Sequence, residues 1–181
     1  MVKNDKWIKK MAVEYKMIEP FEPNQIKDGK ISFGTSSYGY DMRLSDEFMV
    51  MKSDCILDPK KSESIFETVK AKDFIEVPPN STILGKTLEY FRIPRDIITI
   101  AFGKSTYARC GIFINVTPFE PEWEGFVTLS IANTSSLPVK VYTNEGIAQV
   151  LFLQAHEVCE FSYADKKGKY QKQKNILTSK V

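Results

Sequence analysis

The segment GKSTYARCGIFINVTPFEPEWEG, residues 103–125, joins a polar loop to the start of a β-rich region. Its first residues supply two cations, Lys104 and Arg109, with hydroxyl groups and a glycine that permits close backbone approach. These features suit a phosphate group. The segment ends on three carboxylates, those of Glu120, Glu122 and Glu124, which suit a metal ion or a sugar hydroxyl. A nucleotide combines phosphates, a sugar and a bound metal ion, so it suits both ends of the segment. The alternative interpretation is that each end is a solvated polar loop.

The chain on both sides of this segment is rich in short β-type runs. Examples are IITIAF at 97–102 and GFVTLSIAN at 125–133, and such runs are bounded by Gly, Pro, Asn, Asp or Ser. This pattern of short β-type runs separated by turn residues predicts a mainly β fold: an antiparallel sandwich, a jelly roll or a distorted barrel. Apolar residues at three- and four-residue spacing predict a short N-terminal helix over residues 5–17, capped by Asp5. Residues 106–110 are compatible with a second, short helix.

Length and composition predict one globular domain over residues 1–181, with 43% hydrophobic residues. No apolar run could span a bilayer and the N-terminus lacks a signal peptide's apolar core, so we expect a cytoplasmic protein with no membrane partner. A net charge of +2 argues against a nucleic-acid partner. Five lysines lie within nine residues at 166–174. Residues 164–181 are therefore either a mobile basic tail or a lid that closes on a polyanion.

Residue content argues against zinc and against an ATPase. The chain has one histidine, His156, and its cysteines, Cys55, Cys110 and Cys159, form no C-x-x-C pair. The H-x-E and P-C-x-x-C motifs of zinc-dependent nucleobase deaminases are both missing. We expect three small buried cysteines and a histidine on the surface. GKST is not a Walker A loop, because the glycine required five positions earlier is Ile98.

Four motifs in order carry a resemblance to a known family. They are GTSSYGYDMRL at 34–44, PPNSTILGKTLEYFRIPRD at 78–96, the segment 103–152, and SYADKKGKYQKQ at 162–173. Together they resemble the dCTP deaminases, metal-independent relatives of the trimeric dUTPases. The resemblance implies a distorted jelly-roll, dUTPase-like β fold and a homotrimer with nucleotide sites near subunit interfaces. It implies hydrolysis of dCTP to dUTP and ammonia, which feeds dTMP synthesis.

The same resemblance implies the ligands. Mg²⁺ is expected to enter bound to the triphosphate, with no metal ligand from protein side chains and no zinc. The substrate is expected to be dCTP and the product dUTP, and dTTP is an expected inhibitor. The basic tail is then expected to be a lid over the triphosphate, ordered when ligand binds.

Roles for individual residues also follow from the resemblance. The run Lys104, Ser105, Thr106, Tyr107, Ala108 and Arg109 is expected to contact the phosphates and the reacting centre. Within it, Arg109 would fix charge and water near the base, and Ser105 would hold the attacking water or a phosphate. Further nucleotide contacts fall on Glu120 for the deoxyribose 3′-hydroxyl, on Thr128, Leu129 and Ser130 for the base, and on Gln149, Tyr163, Lys169 and Gln173.

Ser130 departs from the family pattern. Family members carry a glutamate in a strand like V-T-L-E-x-x-N, where it serves as general base, whereas this chain reads VTLSIAN. Loss of a proton-transfer group costs a factor of about 10² to 10⁴ in rate, so Ser130 predicts a slow or inactive enzyme. Either the serine was introduced, or the chain has diverged, or another carboxylate such as Glu120 takes over. The alternatives are a dUTP or dCTP pyrophosphatase and a non-catalytic deoxynucleotide sensor.

Overall fold

The computed structural model describes residues 1–52, 56–61 and 65–180. The helices are α1 (Asp5–Tyr15) and α2 (Ser105–Ala108). The strands are β1 (Ile18–Glu19), β2 (Gly34–Ser36), β3 (Gly39–Met51), β4 (Phe66–Lys70), β5 (Phe74–Val77), β6 (Ser81–Arg92), β7 (Ile97–Gly103), β8 (Ile112–Asn115), β9 (Glu124–Asn133), β10 (Val139–Tyr142) and β11 (Gly146–Gln154). The prediction of a mainly β fold with a short N-terminal helix is confirmed.

Nine of the strands form one sheet, whose main path runs β7–β11–β3–β6–β9–β8. Strand β1 joins this sheet beside β6, and β2 and β4 join it beside β3, whereas β5 and β10 form a separate pair. The sheet curls until the ends of the path approach each other. A Cβ atom built on Gly103 of β7 would lie 3.2 Å from a side-chain carbon of Ile114 on β8. The large sheet is therefore nearly a closed barrel.

Strict alternation along β9 and β6 builds the core inside this barrel. Successive residues of each strand are buried and partly exposed in turn. Val127, Leu129 and Ile131 of β9 are at most 3% exposed. Burial of one such side chain contributes about 1.5–3 kcal/mol, so the interior face holds the strand in place. A slip of one residue would turn the whole apolar set toward solvent.

Helix α1 begins as predicted, but its cap and its end differ from the prediction. The side chain of Asn4, not Asp5, caps the helix and accepts a hydrogen bond from the Trp7 amide at 3.1 Å. The helix ends at Tyr15 because Lys16 takes a left-handed conformation, with φ at 52°. Ile18 then pairs as a strand residue with Phe91 of β6 and is fully buried. Tertiary burial thus ends the helix two residues before the apolar periodicity does.

The cysteine prediction is wrong at the two described positions. Cys110 is exposed because it lies in the turn after α2, and Cys159 is half-buried in the segment after β11. Cys55 lies outside the described residues. His156 is exposed, as predicted. Within the described ranges, no helix is long and apolar enough to cross a membrane.

A buried ion pair joins β3 to β6 inside the barrel. The Glu89 side chain is fully buried, and its carboxylate accepts hydrogen bonds from Arg43 Nε at 2.7 Å and from the Arg43 amide at 2.9 Å. The Tyr40 hydroxyl donates a third bond to it at 3.3 Å. Burial raises the pKa of Glu89, and the Arg43 charge opposes that shift. The guanidinium is therefore what keeps a charged carboxylate tolerable at this depth.

Replacing Arg43 tests this pair. Arg43→Met should lower the free energy of unfolding at neutral pH by about 3–5 kcal/mol, because it leaves a buried carboxylate uncompensated. A carboxyl whose folded pKa is raised is destabilising only when ionised, so the deficit should shrink at acidic pH and grow as pH rises through that pKa. Urea denaturation at matched protein concentration measures both effects. Lys10→Met, which removes an exposed pair with Glu14, is the control and should change stability by under about 1 kcal/mol.

Candidate functional site

A cavity of about 950 Å³ opens along the outer face of β9. Its walls come from β9, from the loop between β8 and β9, and from the C-terminal segment after β11. Most of the lining is apolar, with Ile98, Phe119 and Trp123 contributing, and polar groups enter at a few positions. A largely apolar cleft with few convergent polar groups is the usual form of a small-molecule site.

The pleat of β9 decides which side chains reach this cavity. Thr128 and Ser130 are partly exposed and line it, whereas Leu129 between them is fully buried in the core. Only the backbone of Leu129 can therefore face a bound base, which restricts its predicted role. Asn115 of β8 is the register partner of Ser130 and also lines the cavity. Sequence reasoning did not single out Asn115, although a polar residue at an outward position of a strand was a usable signal.

The carboxylates of the EPEWEG turn, residues 120–125, form ion pairs with arginine and lysine side chains. Glu120 lines the cavity, and its Oε2 lies 3.3 Å from Lys166 Nζ. Glu122 accepts a hydrogen bond from Arg95 at 2.6 Å, and Glu124 lies 3.4 Å from Lys172 Nζ. Glu120 and Glu122 lie in the loop before β9, and Glu124 is the first residue of that strand. Within the described ranges, no cluster of three or more acidic, histidine or cysteine side chains is placed to hold a metal ion.

The C-terminal segment brings three more predicted residues to the cavity. Tyr163, Lys169 and Gln173 all line it. The Tyr163 hydroxyl accepts a hydrogen bond from the Tyr170 amide at 3.0 Å, and the Gln173 side-chain amide donates to Thr128 Oγ1. Lys169 donates to the main-chain carbonyl of Lys180. The polar groups of the tail thus meet those of β9 at one opening.

Main-chain pairing fastens this tail to the start of β9. Gln173 forms a parallel bridge with Gly125, and its carbonyl accepts the Phe126 amide at 2.9 Å. The Trp123 indole Nε1 donates to the Tyr170 carbonyl at 3.0 Å. Gly125 has φ at 153°, and a Cβ atom there would lie 3.0 Å from the Gln173 nitrogen. Glycine is therefore required for the close approach of the two segments.

The predicted residues of the GKST segment lie elsewhere in the chain. None of the residues from Lys104 to Arg109 is part of the described lining of the cavity. They follow β7 at its Gly103 end, whereas Ile98 near the other end of that strand does line the cavity. Five strand residues span about 16 Å, which is too far for a shared contact with one base. The structure therefore divides the predicted site residues into two groups. One group lines the cavity; the other, residues 104–109 with Gln149, is not part of its described lining.

Within the second group, most residues of the run 105–109 are exposed, and local contacts hold them in place. Ser105, Thr106 and Ala108 are exposed, and Arg109 Nη1 donates to the Ser105 carbonyl at 2.9 Å. Tyr107 is buried instead, and its hydroxyl accepts the Tyr142 amide at 2.8 Å. Burial raises the pKa of Tyr107, so this phenol stays protonated. Its side chain anchors α2 and is not free to bind a nucleotide, whereas the exposed hydroxyls beside it are accessible.

Lys104 and Gln149 are also tied to other side chains. Lys104 Nζ donates to Asp41 Oδ2 at 2.7 Å and to Ser32 Oγ at 2.8 Å. The Gln149 amide donates to Asp41 Oδ1 and to Ser36 Oγ, each at 3.0 Å. Both predicted nucleotide contacts therefore converge on one carboxylate that the sequence did not single out. An acidic residue inside the apolar strand GYDMRL was the available signal.

Comparison with known proteins identifies relatives over the whole chain. A family model described as dCTP deaminase-like matches residues 2–155. The dCTP deaminases of Nitrosomonas eutropha and Acidobacterium capsulatum are each 58% identical to this chain, over 99% of both sequences. The solved structure of 2′-deoxycytidine 5′-triphosphate deaminase from Agrobacterium tumefaciens matches with a TM-score of 0.65 and 14% identity, over 86% of this chain and 48% of that longer one. That structural likeness concerns the fold alone.

Weakening one contact tests the attachment of the tail. Trp123→Phe removes the indole donor to the Tyr170 carbonyl and keeps most of the apolar ring. One lost hydrogen bond of about 0.5–1.5 kcal/mol should raise the open population of the tail roughly 2- to 10-fold. The rate of limited trypsin cleavage within residues 166–174 measures this population. Trp7→Phe in α1 is the control, and equal cleavage rates in the two variants would show that the indole bond does not hold the tail.

Proposed function

The chain belongs to the dCTP deaminase family, and on that premise we propose that it hydrolyses dCTP to dUTP and ammonia. The observation that carries the proposal is the single cavity at which Glu120, Thr128, Ser130, Tyr163 and Gln173 meet. These residues come from the loop before β9, from β9 itself and from the C-terminal segment, and all five were expected at a nucleotide site. Their convergence gives the family match a physical site in this chain.

The walls of the cavity fit a pyrimidine nucleotide. The apolar side chains can cover the faces of a base, and hydroxyl and amide groups of Thr128, Ser130 and Asn115 can bind its polar edge. Glu120 can accept a hydrogen bond from a sugar hydroxyl, and Lys166 and Lys169 bring positive charge to a triphosphate. Mg²⁺ belongs to the substrate in this proposal, bound through the triphosphate. The expected inhibitor dTTP shares its sugar and triphosphate with the substrate.

The reaction requires a proton to move from water to the leaving amine. The oxygen of water adds to C4 of cytosine while one of its protons goes to N3; the C4–N4 bond then breaks, the amino group takes the second proton and leaves as ammonia, and a C4 carbonyl remains. Within the described lining of the cavity, the carboxylates are Glu120 and Glu157. Ser130 has a hydroxyl and no titratable group near neutral pH. The comparisons nevertheless support dCTP deamination, and they lend no support to an impaired enzyme, a pyrophosphatase or a sensor.

A homotrimer would unite the two groups of predicted residues. Strand β7 lies at one end of the sheet path and exposes Ile98, Ile100 and Phe102, with side chains 40–60% accessible. Phe113 of β8 is 61% exposed. Monomeric proteins rarely leave such a contiguous apolar surface uncovered. Since Ile98 also borders the cavity, a neighbouring subunit on this surface can bring its exposed Ser105 and Arg109 to a site that one protomer leaves incomplete.

The remaining expectations complete the proposal. We place residues 1–181 in one domain, with residues 164–181 serving as the basic lid over the triphosphate. The cytoplasm, where deoxynucleotides are made, is the proposed location. No nucleic acid or membrane partner is part of the proposal.

The proton-transfer step can be tested at Ser130. We expect this chain to form dUTP and ammonia from dCTP and Mg²⁺. If a carboxylate at the cavity wall beside Asn115 can carry the proton, kcat of Ser130→Glu should exceed that of Ser130→Gln by about 10² or more. Ser130→Gln has the same length without a titratable group and should not raise kcat. Ion-exchange separation of the products measures each rate, and release of pyrophosphate by this chain would contradict the proposed reaction.

The trimer can be tested on its apolar surface. Phe102→Glu places a charge on the row exposed by β7 and should convert the trimer into monomers. Light scattering at micromolar concentration measures the mass. Val13→Glu, on the exposed face of α1, is the control and should remain trimeric. A monomer in the unmodified chain at that concentration would refute the assembly.

A further inference from the structure

Asp41 is a buried carboxylate to which the proposed reaction gives no role. It lies on β3, is 1% exposed, and is not part of the described cavity lining. Its two oxygens accept hydrogen bonds from Lys104 at 2.7 Å, from the Gln25 side chain at 2.9 Å and from the Gln149 side chain at 3.0 Å. A buried carboxylate with a cation and two amide donors is fully partnered.

The sheet places these partners next to one another. Asp41 on β3 is the direct register partner of Gln149 on β11, and Gln149 is in turn the partner of Phe102 on β7. Lys104 follows β7 after Gly103 and immediately precedes α2. One carboxylate therefore links three adjacent strands at the point where the GKST segment leaves the sheet.

Lys104 is held in one orientation by this arrangement. Its side chain is 13% exposed, and two of the three ammonium N–H donors are used by Asp41 and Ser32. Its own amide donates to the Ile147 carbonyl at 3.1 Å. A lysine on a flexible stem would otherwise sample many rotamers. Asp41 and Ser32 occupy two of the three N–H groups, so the ammonium group has one further N–H to donate.

We infer that Asp41 is a positioning residue for the triphosphate half of the site. It fixes Lys104 and Gln149, and through Lys104 it fixes the start of the segment Ser105–Ala108. This inference rests on the proposed function, because it assumes that the GKST segment receives phosphates. It predicts an effect that depends on the number of phosphates in the ligand, which a merely structural role for Asp41 does not.

Binding of product nucleotides tests the inference without turnover. We would measure dissociation constants for dUTP with Mg²⁺ and for dUMP by calorimetry, in the unmodified chain and in Asp41→Asn. Loss of one charge-assisted contact to a phosphate costs roughly 10- to 100-fold in affinity, so Asp41→Asn should weaken dUTP binding between about 10- and 100-fold and dUMP binding by about 2-fold at most. Glu89→Gln is the matched control: it alters a buried ion pair in the same sheet and should leave the dUTP-to-dUMP ratio unchanged.

A double variant separates positioning from general stability. In the Lys104→Met background, adding Asp41→Asn should produce a clearly smaller loss of dUTP binding than it does alone, because Lys104 is no longer there to be misplaced and only Gln149 still depends on Asp41. Additive losses, equal losses for dUTP and dUMP, or unchanged dUTP binding in folded Asp41→Asn would each overturn the inference. If Asp41→Asn does not fold, dUTP binding is measured instead in the double variant Asp41→Asn/Lys104→Met, which removes both buried charges. The inference is also overturned if that double variant binds dUTP with wild-type affinity, or if neither Asp41→Asn nor the double variant folds.

The unmodified chain separates this inference from the proposed function. If it binds neither dUTP nor dUMP, the proposed function fails, and the role of Asp41 fails with it. If it binds dUTP and Asp41→Asn binds it equally well, the inference about Asp41 alone fails.

Discussion

The alternation of side chains along β9 is the constraint on which both the fold and the site depend. Val127, Leu129 and Ile131 point into the barrel, and this burial fixes the register of the strand against β6. The same pleat turns Thr128 and Ser130 outward to the cavity. Because the period is two, no arrangement can bury the apolar set without presenting the polar set. Packing energy in the core thus also sets the position of the polar groups that would meet a base.

The sequence predicted those features that local pattern controls. The β-rich character and the helix near the N-terminus follow from short sequence patterns, whereas a shared site for Thr128, Tyr163 and Gln173, which line one cavity, was expected only from the family resemblance. The predictions were wrong where contacts between residues distant in the sequence determine the structure. Helix α1 ends early because Ile18 pairs with β6, and Cys110 is exposed in the turn after α2. The separation of Lys104 and its neighbours from the cavity depends on the path of β7, which no motif encodes.

Charged side chains divide into two uses in this structure. At the EPEWEG turn, Glu122 pairs with Arg95, and Glu124 pairs with Lys172 of the tail; Arg95 also pairs with Asp165, so the pairs of Lys172 and Asp165 help join the tail to the barrel. Such exposed pairs are individually weak, and the main-chain bonds to Gly125 and Phe126 give the attachment its direction. At Asp41 and Glu89 the carboxylates are buried, and each has a cation opposite it. The surface pairs can open and close, whereas the buried pairs belong to the rigid frame.

The C-terminal segment forms one wall of the cavity, although it follows the last strand of the barrel in sequence. Leu177 and Thr178 line the cavity, and Ile176 beside them is 8% exposed. During synthesis these residues leave the ribosome after every described strand of the barrel has been made. A nascent chain can therefore close its core before this wall of the cavity exists. A truncated chain that keeps all of these strands can be folded and still lack a finished binding pocket.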